Sequence, residues 1–235
     1  MNTARLQHLK HFYVLLGALE EKLGGPRRLS ECAGRMDWPR RGVYFFREPG
    51  EDRSDTGDGP RIVRIGTHAL RAGSGTKLWG RLSQHRGQIR AGGGSHRGSI
   101  FRLLMGASII ERDGQGHATW GQGTSAPKDF RIHEEPLEKA VSAVIGAMPF
   151  LWLEIDDEPG PESLRGYIER NSIALLSNFS KPPLDLPSPN WLGHSCPRPR
   201  VQESGLWNQN HVEVDYDPAF LDQLERLVAS MRSAP

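Results

Sequence analysis

An arginine and a histidine of this chain stand one helical turn apart, so both side chains project from the same face of a helix. They are Arg81 and His85, in a segment predicted to be helical from Lys77 to about Arg86 and ended by Gly87. The guanidinium of arginine binds phosphate through parallel hydrogen bonds, and histidine exchanges protons near neutral pH. The pair is therefore compatible with chemistry on a phosphate group. The alternative is a solvated helix arginine and a histidine favoured by the dipole at the C-terminal end of the helix.

The charge around this pair is one-sided. Between Arg61 and Ile110 the chain carries nine lysines and arginines and no aspartate or glutamate, although its net charge is only +2. A segment of this kind attracts polyanions, so nucleic acid is the predicted partner. The alternative is a solvated basic face without a partner.

Two short strands precede the helix. The β-prone run from Gly42 to Phe46 is followed by a Gly- and Asp-rich stretch from Glu48 to Pro60, predicted to be a mobile loop, and then by a second strand from Arg61 to Gly66. Strands joined in this way pair antiparallel, which places Tyr44 near the Arg64-Ile65-Gly66 end of the second strand. Several polar groups are thus expected to meet at one place.

The remaining pattern predicts helices around a third strand. Apolar spacing indicates helices from Ala4 to Leu23 and from Leu137 to Met148, another that begins at Pro161, and one after Asp217-Pro218. The third strand runs from Phe150 to Ile155. Residues 99–110 form a helix or a strand, and residues 112–131 form a long loop or hairpin.

These elements give an α/β fold of the α+β type, with a small, mainly antiparallel three-stranded sheet flanked by helices. We expect three parts in the chain. Residues 1–39 hold an N-terminal helix and a connection, residues 40–180 form the core, and residues 181–235 form a Pro-rich segment and a C-terminal helix that pack on the core.

Gly42-Val43-Tyr44, followed by Arg64-Ile65-Gly66, resembles the paired motifs of the GIY-YIG nucleases. Arg81 stands where that family has its helix arginine, and the segment YIERNSIALLSN resembles the later helix with its glutamate and following asparagine. The resemblance covers roughly residues 40 to 180, and Arg81 with His85 is closest in character to the restriction-endonuclease branch. One residue departs from the motif, because Arg64 replaces the second tyrosine.

The resemblance implies a role for each site residue. Glu169 binds a divalent ion, Mg²⁺ or another such as Mn²⁺. Tyr44 orients or deprotonates the attacking water, or shares that work with His85, while Arg81 clamps the scissile phosphate. Arg64 adds a second phosphate contact. The residues expected to contact nucleic acid are Lys77, Arg86, Arg90, Arg97 and Asn178.

The predicted function is metal-dependent hydrolysis of phosphodiester bonds in DNA, with RNA cleavage as a variant. The alternative is a nucleic-acid-binding protein on a degenerate, inactive fold of the same family, suggested by Arg64. A third interpretation is a purely structural protein, which predicts no binding to nucleic acid.

The bulk composition sets the remaining limits. No apolar run reaches the roughly 18 residues of a membrane helix, and Met1 does not open a signal pattern, so a cytoplasmic protein without a membrane partner is expected. Cys32 and Cys196 lack the spacing of a disulfide framework or a zinc site. Trp191 and Trp207 are expected to pack in the core or in a lid. No self-complementary surface is identifiable, so the sequence sets no oligomeric state.

Overall fold

The computed structural model describes residues 3–88 and 93–233. Its sheet has four antiparallel strands in the order β1-β4-β2-β3. They are β1 (Arg27–Arg28), β2 (Gly42–Asp52), β3 (Pro60–Gly66) and β4 (Pro149–Glu154). The predicted antiparallel pairing of three strands is confirmed, and the count of three is wrong. The added strand, β1, is too short for a residue pattern to predict.

Seven α-helices surround the sheet in the described residues. They are α1 (Thr3–Leu23), α2 (Leu78–Arg86), α3 (Ile100–Asp113), α4 (Lys128–Ala147), α5 (Leu164–Leu176), α6 (Pro199–Ser204) and α7 (Phe220–Ser230). No helix in the described residues is long and apolar enough to cross a membrane.

Two helices begin elsewhere than predicted. Helix α4 begins at Lys128 and not at Leu137; residues 128–136 bury the carboxylate of Glu134 and no apolar side chain, so no apolar period marks them as helical. Helix α5 begins at Leu164 and not at Pro161, because an oxygen of Asp157 accepts the Leu164 N–H at 2.6 Å.

The loop predicted from Glu48 to Pro60 is shorter in the structure, where it spans residues 53–59. Strand β2 continues to Asp52, and the turn that follows is fixed by Asp185. One oxygen of that carboxylate accepts the N–H groups of Ser54, Asp55 and Thr56 at 2.9, 2.8 and 3.1 Å. The anchor lies far away in sequence, so the polar composition of the turn could not reveal it.

Residues of β2 alternate between the two faces of the sheet. Phe45 packs against Phe12 of α1, on the face covered by α1, α5 and α7. Tyr44 and Phe46 face the other way, where Phe46 contacts Phe101 of α3 and His85 of α2. The candidate site residues of β2 and α2 therefore share one layer of the molecule.

The segment after α6 covers the free edge of β3. The Trp207 N–H donates to the carbonyl of Val63 at 2.7 Å, and the side-chain amide of Asn208 bonds both the N–H and the carbonyl of Ile65. Trp191 and Trp207 are buried, and both indoles donate to one oxygen of Glu48. The prediction of core packing for the two tryptophans is confirmed.

Candidate active site

Tyr44 lies directly opposite Gly66 in the pairing of β2 with β3, as the two motifs predicted. A Cβ at residue 66 would lie only 2.3 Å from the Tyr44 hydroxyl oxygen. The glycine of the second motif is therefore required for the tyrosine ring to lie across β3.

The Tyr44 hydroxyl is hydrogen-bonded to His85, with 2.8 Å between Oη and Nε2. The other ring nitrogen of His85, Nδ1, lies 2.7 Å from the Oγ of Ser99. Burial lowers the pKa of His85 well below its ordinary value, and the nearby charges of Arg81, Arg64 and Arg102 add to this shift. His85 is therefore neutral at pH 7, and it has no exposed surface.

Arg64 shares the sheet face of Tyr44, because it pairs with Phe46. Its Nη1 donates to the carbonyl of Trp207, while its Nε is buried without a hydrogen-bond partner. Burial lowers the pKa of Arg64, and the charges of Tyr44 and Glu169 act in the opposite direction. The guanidinium thus stands between the tyrosine and the glutamate, with one donor unused.

Glu169 reaches this place from α5. Its Oε1 accepts the N–H of Thr67, directly after β3, at 3.0 Å. Burial raises the pKa of Glu169, partly offset by Arg64, the Thr67 N–H and Arg81. A cleft of about 360 Å³ opens here, lined by Arg64, Glu169, Ile100, Ile173, Arg200 and residues 208–211.

Arg81 lies on the exposed side of α2. Its Nη1 donates to the Gln84 side chain and to the Gly98 carbonyl, both at 3.0 Å. Its charge lowers the pKa of both His85 and Glu169. The structure therefore brings five predicted residues into one neighbourhood: Tyr44, Arg64, Arg81, His85 and Glu169.

The cleft offers one carboxylate, that of Glu169, to a divalent metal ion. The described residues contain no group of three or more His, Cys, Asp and Glu side chains that could hold a metal. Glu169 stands there as a single carboxylate, with one oxygen committed to Thr67. Mg²⁺ is commonly held by one or two carboxylates together with waters and substrate phosphate, so this residue fits such an ion.

The residues predicted to contact nucleic acid are placed less uniformly. Lys77 is exposed at the start of α2. Arg86 donates to the carbonyl of Cys32 at 2.6 Å, and its guanidinium lies 4.8 Å from the centre of the Trp79 ring. Arg90 lies outside the described residues. Of Lys77 and Arg86, Lys77 therefore has the more accessible charge.

Two further predicted contacts are engaged inside the protein. Arg97 makes two hydrogen bonds to Glu134, at 2.6 and 2.8 Å. The amide of Asn178 bonds Arg5 and both backbone groups of Leu184. A nucleic-acid contact by either residue would first break these bonds, so both remain predictions.

In the folded protein, acidic residues from elsewhere in the chain neutralise part of the positive charge of residues 61–110. Arg61 pairs with Glu51, and Arg97 and Arg102 pair with Glu134 and Glu138 of α4. The acids come from outside the segment.

Sequence reasoning also missed Ser99 and Thr67, which hold His85 and Glu169. The only sequence signal was the serine directly before α3, a typical helix cap, whose oxygen accepts the Arg102 N–H.

The geometry agrees with the outcome of a family comparison. A family model described as "GIY-YIG domain" matches residues 3–234, which includes both motif strands, α2 and α5. Neither the curated proteins nor the solved structures contain a significant match. The family match covers nearly the whole chain, and the chain belongs to the GIY-YIG domain family.

Proposed function

We propose that this protein is a metal-dependent endonuclease that hydrolyses phosphodiester bonds in DNA. The observation that carries the proposal is the grouping of the Tyr44–His85 pair, Arg81, Arg64 and Glu169 in one neighbourhood, in which Arg64 and Glu169 line a cleft. The family to which the chain belongs consists generally of endonucleases.

Arg64 and Arg81 are suited to hold a phosphate. The buried Nε of Arg64 has no partner, and a phosphate oxygen would supply one. Arg81 is partly exposed nearby and can turn its fork from Gln84 and Gly98 towards the same group. Fixed cations in a poorly solvated cleft stabilise charge that develops on phosphoryl oxygens.

Glu169 would hold the metal ion, because it lines the cleft and one of its oxygens is positioned by Thr67. A divalent ion bound there supplies the charge that polarises the phosphate and stabilises the leaving oxygen. The carboxylate must be ionised to bind a cation. Because burial raises its pKa, metal binding should weaken as the pH falls.

Tyr44 is the residue that exchanges a proton with the attacking water. Its hydroxyl is held by His85 and lies beside Arg64. Tyr44 has no exposed surface, so its surroundings must move before water reaches the hydroxyl; we assign that movement to Arg64, which interacts with Tyr44 and turns towards a bound phosphate. In this proposal, substrate binding and access to Tyr44 are therefore coupled.

The test uses supercoiled plasmid and Mg²⁺, with wild type and Glu169→Gln compared at equal concentration. Glutamine keeps an oxygen for the Thr67 N–H but cannot carry the charge that binds the ion. We expect wild type to nick or cut the plasmid and the variant to be at least about 100-fold slower. Equal cleavage by both proteins, or cleavage by neither, contradicts the proposal. A parallel RNA substrate decides between the two nucleic acids.

A second candidate is a nucleic-acid-binding protein on an inactive fold. The burial of Tyr44 beneath Arg64, where the motif has a tyrosine, favours it. Salt-sensitive DNA binding without Mg²⁺-dependent cleavage would support this function. Cleavage that appears only in Arg64→Tyr would identify a site that Arg64 has blocked.

A further inference from the structure

We propose that Ser99 fixes the tautomer of His85, so that His85 donates a hydrogen bond to Tyr44 and acts as a positioning residue, not as a base. The catalytic meaning of this inference rests on the proposed function, whereas the tautomer itself does not. The hydrogen-bond partners of the Ser99 hydroxyl determine which ring nitrogen of His85 carries the proton.

The Ser99 oxygen has two polar neighbours in the described part of the chain. The Arg102 N–H donates to it at 3.3 Å, and Nδ1 of His85 lies 2.7 Å away. Ser99 is only 1% exposed, so its hydroxyl proton needs an acceptor within the protein. Nδ1 of His85 is that acceptor, because a backbone N–H can only donate.

The opposite tautomer leaves a group unsatisfied. If Nδ1 carried the proton, the Ser99 oxygen would accept two hydrogen bonds, and its own proton would be buried without an acceptor. A doubly protonated ring is disfavoured by burial and by the charges of Arg81, Arg64 and Arg102. The single ring proton therefore sits on Nε2, 2.8 Å from the Tyr44 oxygen.

The surroundings hold this arrangement in place. Nη1 of Arg102 donates to the His85 carbonyl at 2.9 Å, and Glu138 holds the same guanidinium through its carboxylate and its carbonyl. Glu138 also accepts from the N–H and Nδ1 of His96, whose Nε2 accepts from Gly121. Ser99 is thus attached to a buried network in which each donor has a defined acceptor.

The chemical consequence concerns Tyr44. Since its oxygen accepts from Nε2 of His85, the hydroxyl proton of Tyr44 points away from His85. In the hydrolytic step, Tyr44 takes the proton of the attacking water while it passes its own proton to a phosphoryl oxygen. The new P–O bond forms, and the leaving oxygen departs with its electron pair and takes a proton from solvent. His85 keeps its proton on Nε2 throughout.

The direct test is ¹⁵N NMR of the full-length wild type with labelled histidine, with His85 assigned through its backbone. We expect couplings and shifts that show a protonated Nε2 and a bare Nδ1. A proton on Nδ1 overturns the inference. This result requires no variant and no nuclease activity, so it stands even if the plasmid assay fails.

A matched pair of variants tests the role of Ser99. Ser99→Asn and Ser99→Asp have the same shape, and both residues cap helices well. The Asn amide can accept from Arg102 and donate to Nδ1, which keeps the tautomer. The Asp carboxylate can only accept, which places a proton on Nδ1.

In the plasmid assay, Ser99→Asp should be at least about tenfold slower than Ser99→Asn, because its His85 no longer donates correctly. Identical ring protonation in the two variants overturns the assignment to Ser99. A changed tautomer with unchanged cleavage overturns the positioning role. Absence of cleavage in wild type removes the proposed function and leaves the tautomer to be decided by the wild-type spectrum.

Discussion

Two buried arginines on the same side of the sheet differ in how far their hydrogen bonds are satisfied. Every side-chain nitrogen of Arg102 has a partner, on Glu138 or on the carbonyl of His85. Nη1 of Arg64 donates to the carbonyl of Trp207 and the guanidinium also interacts with the Tyr44 hydroxyl, but its Nε has no partner in the described residues. Arg102 has no exposed surface, whereas Arg64 lines the cleft beside Glu169.

The difference distinguishes an arginine that supports the fold from one that is available to bind a ligand. A buried charge with all its partners inside the protein holds neighbouring elements in place and is costly to disturb. A buried charge with an unused donor at a cleft can gain a partner only from outside. By this criterion the Arg102–Glu138 region supports His85, and the Arg64 region is where a phosphate would bind.

The largest effect on stability is expected from a substitution in the Arg102–Glu138 region. Arg102→Met leaves the Glu138 carboxylate buried without its counter-charge and removes the donor to the His85 carbonyl. We expect a loss of about 3–5 kcal/mol in the free energy of unfolding, measured by urea denaturation at pH 7. A loss below about 1 kcal/mol would show that Arg102 is no more structural than Arg64.

A second prediction concerns the positive charges around His68. Burial, with the charges of Arg165, Arg41 and Arg81, lowers the pKa of this histidine to about 4. Unfolded histidine has a pKa of about 6.5, so only the unfolded state gains the proton as the pH falls between these values. The free energy of unfolding therefore falls as the pH drops from about 6.5 to about 4, and His68 causes no such loss above this range.

At 1.36 kcal/mol per pKa unit, the loss reaches at most about 3 kcal/mol at pH 4. His68→Gln should remove it, so the gap between wild type and variant in unfolding free energy should change by that amount between pH 7 and pH 4. The pKa of His85 is lowered in both proteins, so the contribution of His85 cancels in the difference between them. Parallel curves for the two proteins would show that the charges around His68 have little effect.

A third prediction concerns the contact that places Tyr44 beside Arg64. Gly66→Ala puts a methyl group 2.3 Å from the Tyr44 oxygen and must displace the ring from His85. We expect a loss of about 1–3 kcal/mol in urea unfolding, together with loss of plasmid cleavage. Gly75→Ala is the control, because nothing lies within 4 Å of its Cβ position. Equal effects at the two glycines would contradict the proposed packing.

These effects also show what the sequence could reveal. The Tyr44–Gly66 pairing was predictable, because short strands of opposite direction fix their register locally. The link between Glu169 and the end of β3 was not readable from spacing, since the Thr67 N–H that holds it is a backbone group. The placement of Glu169 in the site came from the motif resemblance.

Charge was the least predictable feature. Arg64 and Arg102 look alike in an acid-free segment, and only the fold shows that Glu138 neutralises one of them. Glu138 lies 36 residues further along the chain, on α4, and the sequence pattern predicted a helix there but not that this carboxylate faces Arg102. A residue's local sequence therefore sets its charge but not its counter-charge.

The smallest expected effect on stability belongs to Arg64. In Arg64→Met, the lost hydrogen bond to Trp207 is offset by removal of a buried charge whose pKa is already lowered by burial. The free energy of unfolding should change by no more than about 1 kcal/mol, in contrast to the same substitution at Arg102.

DNA binding by Arg64→Met should weaken even though its stability does not. With metal removed by EDTA, affinity is measured over a range of salt concentrations, and the slope of log K against log salt should fall by about 1, as expected for one lost phosphate contact. Arg102→Met, measured while folded, should keep the wild-type slope, because its charge is already neutralised by Glu138. An unchanged slope in Arg64→Met would mean that the unused Nε does not meet a phosphate, and the contrast between the two arginines would then be one of burial alone.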